Sequence, residues 1–334
     1  MKKIMFMLVA VAAMASSCTQ SDVIGLSSDD NVEIRVSAGI TSAVSPSTRA
    51  VVEGMINENF TTDLDVAFAR ADEGGSGYTT YGVDALEGLV AHNNKTLSFS
   101  RPVQYYLANG KKTKLIGWYP RRPGVSYTQG TRVVDFGEID GKTDLMATVL
   151  YEGSKGTKIS SITFNHLLTQ FSIKVYAPDA AAQGLWGTVS SIKIAEKKQT
   201  CTITLPAATE TANTAAAPTF TGNSDLDLVK TDLTTSPAAT INYPLTLGVG
   251  TAANAAQAGY AMFAPQTTGN VELKIELSIG GTQTVNVPIP TTPTAGFLQG
   301  YAYEITLKFS SSAITPTVAV ADWIPVTSLP EVEI

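Results

Sequence analysis

Residues 271–289 read VELKIELSIGGTQTVNVPI. Val271, Leu273, Ile275, Leu277 and Ile279 alternate with polar residues. Gly280-Gly281 then turns the chain, and Val285, Val287 and Ile289 return with the same alternation. Apolar side chains at every second position around a Gly-Gly turn form a β-hairpin with one face buried. Outward from this hairpin the pattern recurs in Phe171, Ile173 and Val175, and in Cys201, Ile203 and Leu205. It recurs again in Tyr301, Tyr303, Ile305, Leu307 and Phe309, and in Val318, Val320 and Ile324. Toward the N-terminus, Leu64, Val66 and Phe68 continue it, as do the runs 115–119, 133–136 and 145–151. Helical spacing is nearly absent, and only Pro178–Trp186 reads as a short helical turn. Strands with one apolar and one Thr/Ser/Lys face demand antiparallel sheets packed face to face, so the fold class is all-β and the architecture a β-sandwich. Pro206–Asp225 and Thr251–Ala258, poor in large apolar side chains, read as exposed loops.

The chain has 334 residues, a length that accommodates two domains. The turn-rich run Glu152–Thr157 puts the division near residue 158, giving one sandwich over 50–158 and a second over 159–334. Composition is 44% hydrophobic and 16% charged, against roughly 25% charged in ordinary soluble domains. The formal charge is −6, and losing Lys2 and Lys3 takes it to −8. An acidic chain without a basic run argues against nucleic acid or anionic lipid as a partner.

Residues 1–50 carry a different kind of information. Lys2-Lys3, an apolar run Ile4–Ala13 and the small residues Ala15-Ser16-Ser17 precede Cys18. This is a secretory signal over residues 1–17, with Cys18 placed to carry a lipid. Ala15 stands where a lipobox usually has Leu, and an ordinary signal peptide with an incidental cysteine is the other reading. The apolar run is shorter than the ~20 residues that span a bilayer. If Cys18 is acylated, Cys201 is left alone and no intrachain disulfide can form. Val32, Ile34, Val36, Ala38 and Ile40 then alternate as one half-buried strand. A small polar loop around Arg49 follows, open to a protease at the Arg49–Ala50 bond, so 18–49 reads as a propeptide strand with a cleavable linker.

Catalytic constellations are weak. His92 lies in a polar turn, and His166 stands at the start of a strand. A Cys201–His166 nucleophile pair is conceivable, yet Cys201 shares the inward parity of Ile203 and Leu205 and reads as a buried, inert thiol. Two isolated histidines and one thiol build no zinc site. Asp225 and Asp227 in a polar loop suggest calcium faintly, and a solvated loop accounts for them as well. No phosphate-cradling loop and no G-x-S-x-G elbow is present. No cofactor and no enzymatic activity are expected. Tyr105-Tyr106, Trp118-Tyr119 and Trp186 would stack on sugars if exposed, although neighbours on a strand face opposite ways and one of each pair belongs to the core.

Several segments together resemble the Bacteroidales fimbrillin (Mfa-like) family of type V pilus subunits. They are Thr143–Ala147 (TDLMA), Phe164–Leu168 (FNHLL) with Phe171–Val175 (FSIKV), Gly300–Leu307 (GYAYEITL), Asp322-Trp323 and Thr48-Arg49-Ala50, in the family's order. The resemblance implies two transthyretin-like β-sandwich domains in tandem and a lipoprotein of the outer membrane at the cell surface. It further implies cleavage after Arg49 by an arginine-directed protease and assembly with other fimbrillin subunits by donor-strand exchange, supporting adhesion. The residues lead the same way: a strand tied on through a cuttable loop can be replaced by another subunit's strand. Burying five apolar side chains of 32–40 is worth on the order of 8–12 kcal/mol as an upper bound, so cleavage rather than simple competition would trigger release. Val318–Ile324 and Val326–Ile334 are the candidate donors, with Pro330 counting against the second. A lipid-anchored cell-surface glycan-binding protein is the alternative function, and Arg49 discriminates, because that protein needs no cut there.

Overall fold

The computed structural model describes residues 31–40, 62–235, 238–291 and 295–321. Along the chain run β1 (Val36–Ile40), β2 (Leu64–Gly74), β3 (Leu86–Val90), β4 (Thr96–Arg101) and β5 (Thr113–Tyr119). β6 (Ser126–Thr128) pairs with β7 (Val133–Glu138), and β8 (Met146–Ala147) and β9 (Ser161–His166) follow. β10 (Thr169–Ala177) leads to the single α-helix of the described residues, α1 (Ala180–Trp186), and then to the long β11 (Thr188–Thr204). The remaining long strands are β12 (Ala217–Asp227), β13 (Ala256–Phe263), β14 (Val271–Leu277), β15 (Gly281–Val287), β16 (Ala302–Phe309) and β17 (Ile314–Ala321). The helix forms where expected. Asp179 caps it by accepting the Ala182 N–H at 2.7 Å, and Gly187 stops it at φ 70°.

The first sheet closes on itself. β2 pairs with β3, β3 with β4, β4 with β1, and β1 runs parallel to β9. β9 pairs with β8, β8 with β5, and β5 returns to β2. The result is a barrel-like ring with no free edge among these strands. Its interior is filled by Val66, Phe68, Leu97, Phe99, Leu115 and Phe164, all nearly inaccessible. Phe68 meets the rings of Phe99 and Phe164 edge-on, at 5.4 and 6.0 Å. Gly117 makes room for it: a Cβ there would lie 2.4 Å from the Phe68 ring.

β2 and β5 are buried on both faces. Ala67, Ala69, Ile116 and Trp118 point away from the barrel interior into a second core, shared with Val134 and Phe136 of β7 and Cys201 and Ile203 of β11. That explains why 115–118 is an unbroken buried run rather than an alternating one. β11 is the link. Its C-terminal part pairs with β7, its N-terminal part with β14, and β12 pairs along its length. A third core fills the space between β10, β13, β16 and the facing β11, β14 and β15. Phe171 gathers Phe263, Phe297 and Tyr303 around it at 4.7, 4.6 and 6.2 Å.

The hairpin that decides the fold class is present as β14–β15, with Val271, Leu273, Ile275, Val285 and Val287 buried. Ile279 departs from the expected inward run and is 52% exposed, because the strand ends at Leu277 and the turn takes over. Pro206–Asp225 departs too. From Ala217 onward it is a strand, held by backbone bonds to β11 while its side chains stay mostly exposed. Low apolar content made it read as a loop, but an edge strand needs little burial. Thr251–Ala258 likewise holds a short 3₁₀ turn, Ala252–Asn254, and the first residues of β13. The run 145–151 contains only the two-residue β8 and the first residue of a short strand, Tyr151–Gly153.

Candidate functional site

The candidate site is the slot that holds residues 32–40. β1 lies between two strands that do not otherwise meet, parallel to β9 from Ser37↔Ser161 to Ile40↔Phe164 and antiparallel to β4 at Val36↔Leu97. Further backbone bonds extend the grip. Ile34 N–H donates to Gln104 at 2.8 Å, Tyr106 N–H donates to Val32 at 2.9 Å, and Ala38 N–H donates to Lys95 at 2.8 Å. Ile34, Val36 and Ala38 are buried at 0, 2 and 3% exposure, whereas Val32 and Ile40 are half-buried at the two ends. Ile34 and Val36 together are therefore worth about 3–6 kcal/mol, less than five full knobs would give. Glu33 and Arg35 point outward and pair with each other at 2.8 Å.

Around the slot the side chains are apolar, with one polar fastening. Tyr106 is buried against this core, and its hydroxyl accepts the Ile159 N–H at 2.8 Å. Burial pushes that phenol's pKa up, so it stays a neutral O–H at any physiological pH. Sequence reading found the strand and missed its receptor. Lys95 and Gln104 contribute backbone carbonyls, which no side-chain pattern announces.

The other singled-out residues lie elsewhere. Cys18, Arg49, Ala50 and Val326–Ile334 fall outside the described residues. Cys201 is fully buried in the second core, and desolvation pushes its thiol up to about 12, an inert group. His92 is exposed beside Asp63, with Nδ1 2.7 Å from Oδ1. His166 ends β9 rather than starting a strand, and is buried with Nδ1 2.6 Å from Asp144. Asp225 is taken by Lys274 at 2.8 Å, and Asp227 lies 3.6 Å from Lys193, so lysines supply their counter-charge. Among the described residues no group of three or more His, Cys, Asp or Glu could hold a metal ion. Trp118 and Tyr106 are core residues. Trp186 is partly buried, its indole N–H donating to Ser310 at 2.7 Å, and Tyr105 stands out at 41% exposure. No described helix is long and apolar enough to cross a membrane, which says nothing of strand-built barrels.

Residues 48–323 match the profile of a family described as fimbrillin-like. Among solved structures, a candidate cell adhesion protein from Bacteroides uniformis superposes with a TM-score of 0.54 at 17% identity, covering 88% of this chain and all of that one. Another from Bacteroides ovatus gives 0.54 at 17% identity, covering 88% and 99%. At that identity the likeness is one of fold. Among curated proteins none matches.

Proposed function

This chain belongs to the fimbrillin-like family, and from that premise we propose that it is a structural fimbrial subunit whose segment 32–40 is a removable plug. In this reading the chain is exported with residues 1–17 as its signal and is anchored in the outer membrane through lipid on Cys18. An arginine-directed protease cuts it after Arg49. Another fimbrillin subunit then supplies the strand that replaces 32–40, and the finished fimbrium supports adhesion. Two transthyretin-like sandwiches divided near residue 158 are part of the same reading. The barrel-interior core draws on residues up to Phe164 and the third core begins at Phe171, while the second core takes side chains from both sides of that division.

The observation that carries the proposal is the position of β1. It is a stave of a closed ring, and Arg49 is the one Lys or Arg between Arg35 and Arg70. Removing that stave leaves β4 and β9 with unpaired backbone over an open apolar interior, a surface that only another strand satisfies. A single cut frees the stave to leave without touching the rest of the ring.

The test is brief digestion of the folded protein with an arginine-specific protease, followed by N-terminal sequencing and sizing. A new N-terminus at Ala50, with 32–40 co-eluting until denaturant is added, is the expected result. Polymers should then grow when the plug is displaced, and a copy lacking 326–334 should fail to supply the incoming strand. First cleavage at Arg121 or Arg122 would remove the basis of the maturation reading.

A further inference from the structure

The slot for residues 32–40 grips its strand in two ways. The second half, 36–40, lies between the regular strands β4 and β9. The first half meets residues 103–106, which run between β4 and β5 outside any strand. There Glu33 pairs antiparallel with Tyr105. The bonds from Ile34 N–H to Gln104 and from Tyr106 N–H to Val32, at 2.8 and 2.9 Å, flank that pair. Side chains of 103–106 alternate as in a strand, with Gln104 and Tyr106 buried and Val103 and Tyr105 exposed. On the side away from 32–34, where a sheet would place its next strand, stands Arg70 of β2. Its Nη2 donates to the Tyr105 carbonyl at 3.0 Å, and its Nη1 to the Gln104 amide oxygen at 2.8 Å. The Gln104 amide is oriented for this by donating to the Pro102 carbonyl at 2.9 Å. Asp72 holds the guanidinium in turn, accepting from its Nε at 3.0 Å and from the Thr113 hydroxyl at 2.7 Å.

We propose that 103–106 is a jaw of the slot, and that Arg70 is the positioning residue that keeps it shaped for whichever strand occupies it. The inference rests on the reading of 32–40 as a replaceable strand. Among the described residues Arg70 hydrogen-bonds to the jaw, Asp72 and Thr113, and not to 31–40. It therefore acts on the strand only through the jaw. What the jaw positions is Ile34, the largest of the buried knobs, whose N–H it accepts. When the strand leaves, the Gln104 carbonyl loses its donor and the Tyr106 N–H its acceptor. A segment held by those two bonds alone would lose its shape, and the incoming strand would bear the entropy of ordering it again. The guanidinium prevents this. Its donors are fixed in one plane, so it reads the Gln104 amide and the Tyr105 carbonyl together, through charge-assisted bonds that do not depend on the strand. Arg70 thus stands in for a missing neighbour strand and leaves the other side of the jaw open to the occupant.

Amide hydrogen exchange on the uncut protein and strand exchange on the cut protein test this together. Arg70→Lys keeps the charge beside Asp72 but cannot reach both acceptors. Gln104→Leu removes one acceptor without touching β2, and serves alone should Arg70→Lys fail to fold. In each variant the Ile34 and Tyr106 N–H groups should exchange roughly tenfold faster than in the wild type. The Ala38 N–H, in the half held by regular strands, should stay within about twofold. After cleavage by an arginine-specific protease, a labelled synthetic peptide of residues 31–40 in excess should replace the resident strand. It should then dissociate roughly tenfold faster from either variant than from the wild type. A role in general stability alone would quicken all three amides together, and that result overturns the assignment. So does a peptide that leaves the variants no faster than the wild type. If the wild type admits no peptide while the Ile34 and Tyr106 amides still quicken in the variants, the replaceable-strand reading is what fails. The jaw is then a fastening for a permanent strand, and its role in exchange falls with that reading.

Discussion

At the two ends of the described chain lie strands with the same alternation, 32–40 and Ile314–Ala321. The first has a neighbour on each side, and its central knobs are buried to a few per cent. The second, β17, has one hydrogen-bonded partner, β16, and its inward residues Ile314, Val318 and Val320 are only half-buried on the third core. Periodicity tells which side chains point inward but not how many strands cover them. Closure of a ring makes the difference for β1. An open edge, blunted by Pro316, makes it for β17.

Truncation should break the comparison most sharply. Ile34→Ala leaves a hole in a ring interior that cannot collapse, and should cost about 2–5 kcal/mol. Val318→Ala, at a half-covered edge, should cost about 1 kcal/mol or less. Urea unfolding of both variants, at constant m-value, provides the measurement. Equal losses would show that β17 is as integral as the stave, and the distinction between plug and edge would go with them.

Two glycines sharpen the contrast with a change of sign. Gly117→Ala drives a Cβ into the Phe68 ring, which Phe99 and Phe164 hold in place, and should destabilise by about 1–3 kcal/mol. Gly184→Ala, inside α1 with nothing within 4 Å of the added carbon, should stabilise by about 0.5–1 kcal/mol through helix propensity. Thermal melting distinguishes them. A neutral Gly117→Ala would mean that the barrel interior is loosely packed.

How much of this was legible in the residues follows the same division. Alternation located β1, β10, β14, β15, β16 and β17, because each has one wet face or a partly covered one. It found β2 and β5 as well but showed only one face of each, because both faces are dry there: in β5 even Lys114 is buried, its ammonium donating to the carbonyl of Ala208 at 3.0 Å. It also failed where neither face is dry, as in the outer part of β12. The inserted strand was readable from Val32, Ile34, Val36, Ala38 and Ile40. Its receptor was not, since main-chain atoms of Lys95, Gln104 and 161–164 make it.

The smallest expected difference is electrostatic, between one carboxylate beside the barrel and one on β12, outside it. Asp63, beside the barrel strand β2, is held below the ordinary carboxylate range mainly by the His92 backbone N–H at 2.9 Å. Asp225, on β12, is held below it mainly by the Lys274 ammonium at 2.8 Å. Both shifts are downward, so each stabilises the fold above the unfolded value of about 3.9, and that contribution is lost as pH falls through the folded value. The partners differ in kind. A full charge on an exposed lysine is screened by salt, whereas a neutral backbone dipole at hydrogen-bond distance is much less so. Asp63→Asn and Lys274→Met should each narrow the gap in urea midpoint between roughly pH 6 and roughly pH 3. At about 1 M salt, where the screening length is only ~3 Å, the effect of Lys274→Met should vanish and that of Asp63→Asn should persist. If salt erases both, the Asp63 contact is the ring charge of His92 rather than its backbone, and the two regions answer acid by the same mechanism.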